Sequence, residues 1–422
     1  MSAAPATPAS ASLEGALQVL RMPEQGLPYL RHDRAAELDT GSGSLSLRDG
    51  RIAGLSGDPG AELRVDARGC ALVPGFVDCH THLPFAGWRA EEYEQKVTGV
   101  PYAEIARAGG GILSSARALA AADDDAVIDQ ARTLAAEMLQ WGTTAFECKS
   151  GYGLSADAEL RSLRLAARLE REVAQTTVST ALLAHAIPPG KSAEQWLDEI
   201  ESILPEVVSR TGARALDIFV ETIAFSNEHL TRMGRLARRH GLDLRAHVEQ
   251  LATHRSVPVA LAAGARSVDH LSCLHPDDVA PLARAECAAV LLPGAELLGQ
   301  EALAPARALA DAGAIAVLAT DANPGTSPVV AMPVIVGLAV RRYGWSAREA
   351  FLAATLNAAW TIGLSSETGS LEPGKRADLL MLDGPIEHTP YRFGHNPVVA
   401  AFVGGRPEWV RPGAEWRFGR SA

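Results

Sequence analysis

Apolar positions along the chain change rhythm twice. From residue 17 to about 73, short β-like runs are broken by turn-forming pieces such as Gly41-Ser-Gly43, Asp49-Gly50 and Asp58-Pro-Gly60. Short runs bounded by such clusters are the pattern of strands joined by tight turns. Beyond that point, short apolar runs alternate with longer Ala-, Leu- and Arg-rich stretches of helical spacing. Eight runs predict strands at 72–79, 143–149, 177–184, 215–221, 242–248, 266–270, 287–292 and 314–320. Helices are expected between most of them, at 156–172, 193–210, 228–239, 255–263 and 305–312. Strand-like runs return near the end, at 377–382 and 398–403.

Eight βα units within roughly 250 residues match the size of a (β/α)8 barrel. The expected class is therefore α/β, a TIM-like barrel with a small β-sandwich domain built from the N- and C-terminal segments. The expected boundaries are a disordered tail at 1–12, the first part of the small domain at 13–73, the barrel at 74–368, and the second part of the small domain at 369–422. Strands 287–292 and 314–320 are the least distinctive, because Ala-rich runs also suit helices.

Composition narrows the function. The chain has 422 residues, 47% of them hydrophobic, which is ample for a large core. Its formal net charge of −11 argues against broad binding to nucleic acid or anionic membranes. Five cysteines are scattered without metal-binding spacing, as expected of free thiols in a reducing cytosol. No apolar run is long enough to span a membrane, and the first residues lack the pattern of a signal peptide. A cytoplasmic enzyme or binding protein is the class left.

Polar residues sit where barrel chemistry would need them, at the C-terminal ends of the expected strands. The first strand ends in His80 and His82, the second in Glu147 and Lys149, and the third in His185. Glu221 ends the fourth, His247 and Glu249 the fifth, Asp269 and His270 the sixth, and Thr320 and Asp321 the eighth. His80 and His82 are two apart on an extended chain, so both imidazoles point to one side. With His247 and Asp321 they offer three nitrogens and one carboxylate, a set that suits one Zn2+ or Fe3+ ion per chain. Such an ion lowers the pKa of a bound water. Asp321 is placed to take the proton, and His270 to orient the water or polarise a carbonyl. His229, His240, His254, His275 and His388 fall in helices or loops and are read as ordinary.

Several pieces are more specific. They are Asp78-Cys-His-Thr-His82 followed by Arg89-Ala-Glu-Glu92, Tyr102-Ala-Glu-Ile-Ala-Arg-Ala-Gly-Gly-Gly111, Lys149-Ser-Gly-Tyr-Gly-Leu154, Ala319-Thr-Asp-Ala-Asn-Pro-Gly-Thr-Ser-Pro328, and the closing Gly369-Ser-Leu-Glu-Pro-Gly-Lys-Arg-Ala-Asp378. On these the chain resembles the amidohydrolase superfamily and, within it, the imidazolonepropionase family of histidine degradation. The resemblance implies metal-dependent opening of the cyclic amide of 4-imidazolone-5-propanoate to N-formimino-L-glutamate. It implies a small-molecule substrate bearing a carboxylate, and a homodimer. Arg89 and Tyr152 would hold that carboxylate, with Tyr102 nearby, His185 would bond the ring or its carbonyl, and Asn323, Gly325 and Thr326 would offer groups beside Asp321.

Two points stay open. The resemblance places a proton-donating glutamate three residues after the fifth-strand histidine, where this chain has Gln250, with Glu249 one earlier. Adjacent strand positions face opposite sides, so only one of the two is expected to face the substrate. Lys149 is either structural or a counterpart of the carboxylated lysine of two-metal relatives; with Glu221 ending the fourth strand, one ion is the preferred reading. The alternatives are a deaminase or other cyclic-amide hydrolase on the same scaffold, and a metal-free scaffold protein.

Overall fold

The computed structural model describes residues 9–299 and 302–420, the side chains of Tyr102, Ala103, Ala106 and Arg420 aside. Its largest sheet has eight strands: β1 (Phe76–Asp78), β2 (Thr143–Lys149), β3 (Thr176–Ala184), β4 (Ala215–Phe219), β5 (Asp243–Val248), β6 (Ala265–His270), β7 (Ala288–Leu291) and β8 (Ile315–Leu318). They are hydrogen-bonded in sequence order. The pairs from β3 through β8 are parallel. The chain after β8 returns to the chain after β1: Thr81 and Ala322 form a parallel bridge, and the Asp321 N–H donates to the His80 carbonyl at 3.0 Å. The sheet thus curls into a (β/α)8 barrel.

Its strands are buried along their length, as a parallel sheet covered by helices requires. Helices Ala156–Glu170, Ala193–Thr211, Asn227–His240, Ser256–Ala263 and Ala306–Asp311 stand within a few residues of their expected ends. Two of these starts follow from local chemistry. The Ser155 hydroxyl accepts the N–H of Ala158, and Ser192 with Gln195 forms a reciprocal capping box.

The other two sheets have five strands each. One runs Phe418–Arg420, Leu63–Asp66, Ser10–Ala16, Gly43–Arg48, Arg51–Gly54; the other runs Arg406–Val410, Val398–Val403, Leu379–Leu382, Ala71–Pro74, Gln18–Val19. Leu13, Leu45 and Val65 from the first and Leu72, Met381 and Phe402 from the second share one apolar core.

Three expectations need revision. The run 72–79 is two strands. Ala71–Pro74 pairs antiparallel with Leu379–Leu382, whereas Phe76–Asp78 opens the barrel. Gly75 separates them, and its N–H donates to the Asp378 carbonyl at 3.0 Å. The expected tail at 1–12 overlaps a strand beginning at Ser10, because Ser10 to Leu13 pair with Leu45 to Arg48; residues 1–8 lie outside the described residues.

The compact units also differ from the expected boundaries. Among the described residues, one unit comprises 9–77, 137–145 and 331–420; the other comprises 78–136, 146–299 and 302–330. Residues 331–368, expected with the barrel, join the terminal segments through direct bonds. Asn357, for example, accepts from the Leu30 N–H at 3.0 Å and donates to its carbonyl at 2.9 Å.

Gly75 gives a test of this hand-over between sheets. A Cβ there would lie 2.0 Å from Thr144 Oγ1 and 2.8 Å from Thr144 Cβ. Thr144 is fully buried. Gly75→Ala is expected to lower stability by about 1–3 kcal/mol, the usual cost of overpacking. Chemical denaturation of the variant with parent-like stability would count against this packing.

Candidate active site

The C-terminal ends of the strands surround a cavity lined by His82, Arg89, Lys96, Tyr152, His185, His247, Gln250, His270, Asp321, Asn323 and Thr326, among others. Three imidazoles meet at its floor. His80, His82 and His247 present nitrogen atoms that all lie within 4.8 Å of one another, and all three rings are buried. His80 Nε2 and His247 Nε2 have no hydrogen-bond partner. Orphaned buried nitrogens are costly unless something fills them. Asp321 stands over them, with Oδ1 at 3.4 Å from His80 Nε2 and 3.3 Å from His82 Nε2. Three nitrogens and one carboxylate oxygen converging in this way can hold a metal ion.

The second nitrogens of two of these rings explain their orientation. His80 Nδ1 lies 2.6 Å from Asp269 Oδ2, and His247 Nδ1 lies 3.1 Å from Asp217 Oδ1. A carboxylate on Nδ1 keeps the proton there and leaves the Nε2 lone pair aimed at the site. The two aspartates belong to a charge network inside the barrel. Lys149 Nζ reaches Asp217 at 2.6 Å and Glu147 at 3.0 Å, and Arg245 reaches Asp269 at 3.0 Å and also pairs with Glu147. Lys149 is thus already held between two carboxylates. Period-two alternation builds the network: Glu147 and Lys149, Arg245 and His247, and Ser267 and Asp269 are each two apart and share one side of their strand.

Protonation follows from these surroundings. Burial, opposed by Asp217, pushes His247 down to about 3, and burial also lowers His82. Both are therefore neutral and able to act as ligands near pH 7. His80 goes the other way: burial and Lys149 disfavour its charge, but the Asp269 and Asp321 carboxylates more than offset them. Burial alone would raise Asp321, yet the adjoining His80 and His82 imidazoles hold it well below the usual carboxylate range. It is therefore ionised near neutral pH.

Backbone strain gathers at the same strand ends. Glu249, His270 and Asp321 have φ values of 55°, 80° and 54°, in the left-handed region that non-glycine residues rarely adopt. At Glu249 this turn decides which neighbour faces the cavity. Its carboxylate accepts the N–H groups of His254 at 2.8 Å and Ser256 at 2.6 Å, away from the pocket. Gln250 lines the pocket instead.

The remaining expected residues divide as follows. His270 lines the cavity, its ring 5.4 Å from that of His247. His185 stacks on His82 at 5.2 Å, and its Nδ1 lies 3.1 Å from the Gly151 carbonyl. Tyr152 is buried with its ring 5.3 Å from His185. The loop carrying it is gathered around the buried Glu159, whose carboxylate accepts the N–H groups of Gly151, Gly153 and Leu154.

Asn323 Oδ1 is occupied, accepting from the N–H groups of Gly325 and Thr326, both at 2.8 Å. Those two amides therefore serve the turn after β8. Thr326 Oγ1 lies 3.4 Å from Asp321 Oδ2. The side chain of Tyr102 lies outside the described residues.

Arg89 is only 8% exposed, and its Nε and Nη1 have no hydrogen-bond partner. Its nearest carboxylate contact is Glu92, 3.6 Å from Nε. Three residues escaped the sequence reading. Asp217 and Arg245 lie within strands, where single charges look like ordinary barrel interior. Lys96 lies in a helix, and only its spacing of two helical turns from Arg89 hints that it shares a face with it.

Asp217→Asn keeps shape but removes the charge that fixes the His247 tautomer. Loss of such a partner typically costs about 10–100-fold in metal affinity. Competition with a chelator should reveal that drop, and an unchanged affinity would contradict the role given to Asp217.

Comparison with known proteins fits this geometry. The amidohydrolase family pattern matches residues 71–408. The imidazolonepropionase of Rubrobacter xylanophilus is 40% identical over 396 residues, covering 90% of this chain and 94% of its own. That of Stenotrophomonas maltophilia is 38% identical over 375 residues, covering 87% and 92%. A zinc-bound adenosine deaminase from Xanthomonas campestris superimposes with a TM-score of 0.69 at 18% identity, over 96% of this chain and 94% of its own; this likeness speaks to the fold alone. The chain belongs to the amidohydrolase family, together with the imidazolonepropionases.

Proposed function

We propose that this enzyme hydrolyses the cyclic amide of 4-imidazolone-5-propanoate to N-formimino-L-glutamate. The observation that carries the choice of substrate is Arg89: a buried guanidinium whose Nε and Nη1 have no hydrogen-bond partner, in the same cavity as His82 and His247. Leaving such groups unpaired is costly, and a ligand carboxylate relieves it with charge-assisted bonds. The named relatives, near 40% identity over most of their length, act in the same sense.

His80, His82, His247 and Asp321 would hold one Zn2+ or Fe3+ ion, which when bound supplies Lewis acidity toward the amide carbonyl and lowers the pKa of water. The chain's own residues do the rest. Asp321 accepts the proton of the attacking water. His270 orients the carbonyl, and His185 bonds the ring. Water oxygen adds to the carbonyl carbon, the ring C–N bond breaks, and the proton from Asp321 passes to the departing nitrogen. Gln250 positions the ring and cannot itself carry a proton through the cycle. Arg89 and Tyr152 hold the propionate, with Tyr102 and the Asn323 to Thr326 turn bordering the site. The working form in this reading is a cytoplasmic homodimer.

Two experiments address the reading. Incubation with imidazolonepropionate should abolish its ultraviolet absorbance. Chelation should stop the reaction, and Zn2+ or iron should restore it; full turnover by exhaustively metal-free protein would refute this. Arg89→Met should lower kcat/KM about 10–100-fold, the worth of a charge-assisted hydrogen bond. Arg89→Lys should recover only part, since an ammonium lacks the planar fork. An equal loss on an imidazolone without the propionate would mean that Arg89 does not read the carboxylate.

A further inference from the structure

We infer that Lys96 joins Arg89 in a two-cation subsite for the substrate carboxylate and sets which cyclic amides are accepted. This deepens the imidazolone reading and rests on it. The first ground is the helix Ala90–Val97, whose only buried side chain is Lys96. A surface helix ordinarily buries an apolar stripe. Lysine is the last residue expected to be buried, because removing an ammonium from water is expensive. At 5% exposure, Lys96 is held in the cavity by a helix that buries no apolar side chain.

The second ground is convergence. Lys96 follows Arg89 by seven residues, two turns of helix, so both lie on one face. They meet at one glycine. Lys96 Nζ donates to the Gly325 carbonyl at 3.1 Å, and a Cβ on Gly325 would lie 1.6 Å from Arg89 Nη2. Both cations line the cavity that holds His82, His185 and Gln250.

The third ground is charge. Glu92 stands 3.6 Å from Arg89 Nε and is itself steadied by the Gly111 N–H at 3.0 Å. Formally, Glu92 offsets Arg89. Lys96 brings a second cation to the same cavity. Arg89 then supplies the two-point fork, and Lys96 a second cation on the same wall of the cavity.

The test uses the metal-loaded enzyme and two non-reacting probes, imidazole-4-propanoate and 4-propylimidazole, with binding read by calorimetry. The parent should bind the carboxylated probe more tightly. Lys96→Gln keeps a donor for Gly325 but removes the charge. It should weaken imidazole-4-propanoate about 10–100-fold and leave 4-propylimidazole unchanged. Lys96→Arg should recover part of the difference. On imidazolonepropionate itself, Lys96→Gln should raise KM more than it lowers kcat. Equal weakening of both probes would reveal a structural prop for the turn after β8 and overturn the inference, as would parent-like binding of both. Probe discrimination in a parent that fails to hydrolyse imidazolonepropionate would retain the subsite and reject the substrate.

Discussion

Five charges buried inside one barrel are the constraint on which the rest depends. Glu147, Lys149, Asp217, Arg245 and Asp269 have no access to water. A charge in such a place persists only when paired, and removing one partner of a buried pair typically costs about 3–5 kcal/mol. Here pairing also aims the imidazoles. Asp217 answers to Lys149 on one side and to His247 on the other; Asp269 answers to Arg245 and to His80. The Nε2 atoms of two histidines are therefore aimed by groups one layer deeper in the barrel.

Above this rigid floor the chain accepts strain. Left-handed backbone at Glu249, His270 and Asp321 turns each strand end sharply. At Asp321 the turn sets the carboxylate between His80 and His82. The next few residues form a tight turn in which Asn323 takes both following amides, and that turn brings Gly325 against Arg89. No larger residue would fit at 325 without displacing the guanidinium. The contact with Arg89 and the carboxylate beside the histidine cluster thus come from one short stretch after β8.

The barrel was legible because its signals are local. Strands such as Ala288–Leu291 and Ile315–Leu318 are unbroken apolar runs, others carry a few polar residues, and each helix shows its own spacing, so both can be read a dozen residues at a time. His80, His82, His247 and Asp321 were legible for the same reason: each ends such a run. Where a strand ended and another began was not. The run 72–79 is apolar but for Asp78, and only pairing with Leu379–Leu382 on one side of Gly75 splits it in two.

By itself the sequence determined the class of fold, the histidine pair on one strand end, and the polar residue types that stand at the strand ends. Tertiary structure alone decided which neighbours turn inward. Glu249 and Gln250 are adjacent, and no pattern chooses between them; the choice comes from a left-handed residue whose carboxylate finds two free N–H groups at His254 and Ser256. Asp217 and Lys149, 68 residues apart, could not be seen as partners for the same reason. Burial makes a lone charge intolerable, and which charges are buried together depends on contacts between strands, not on spacing along one.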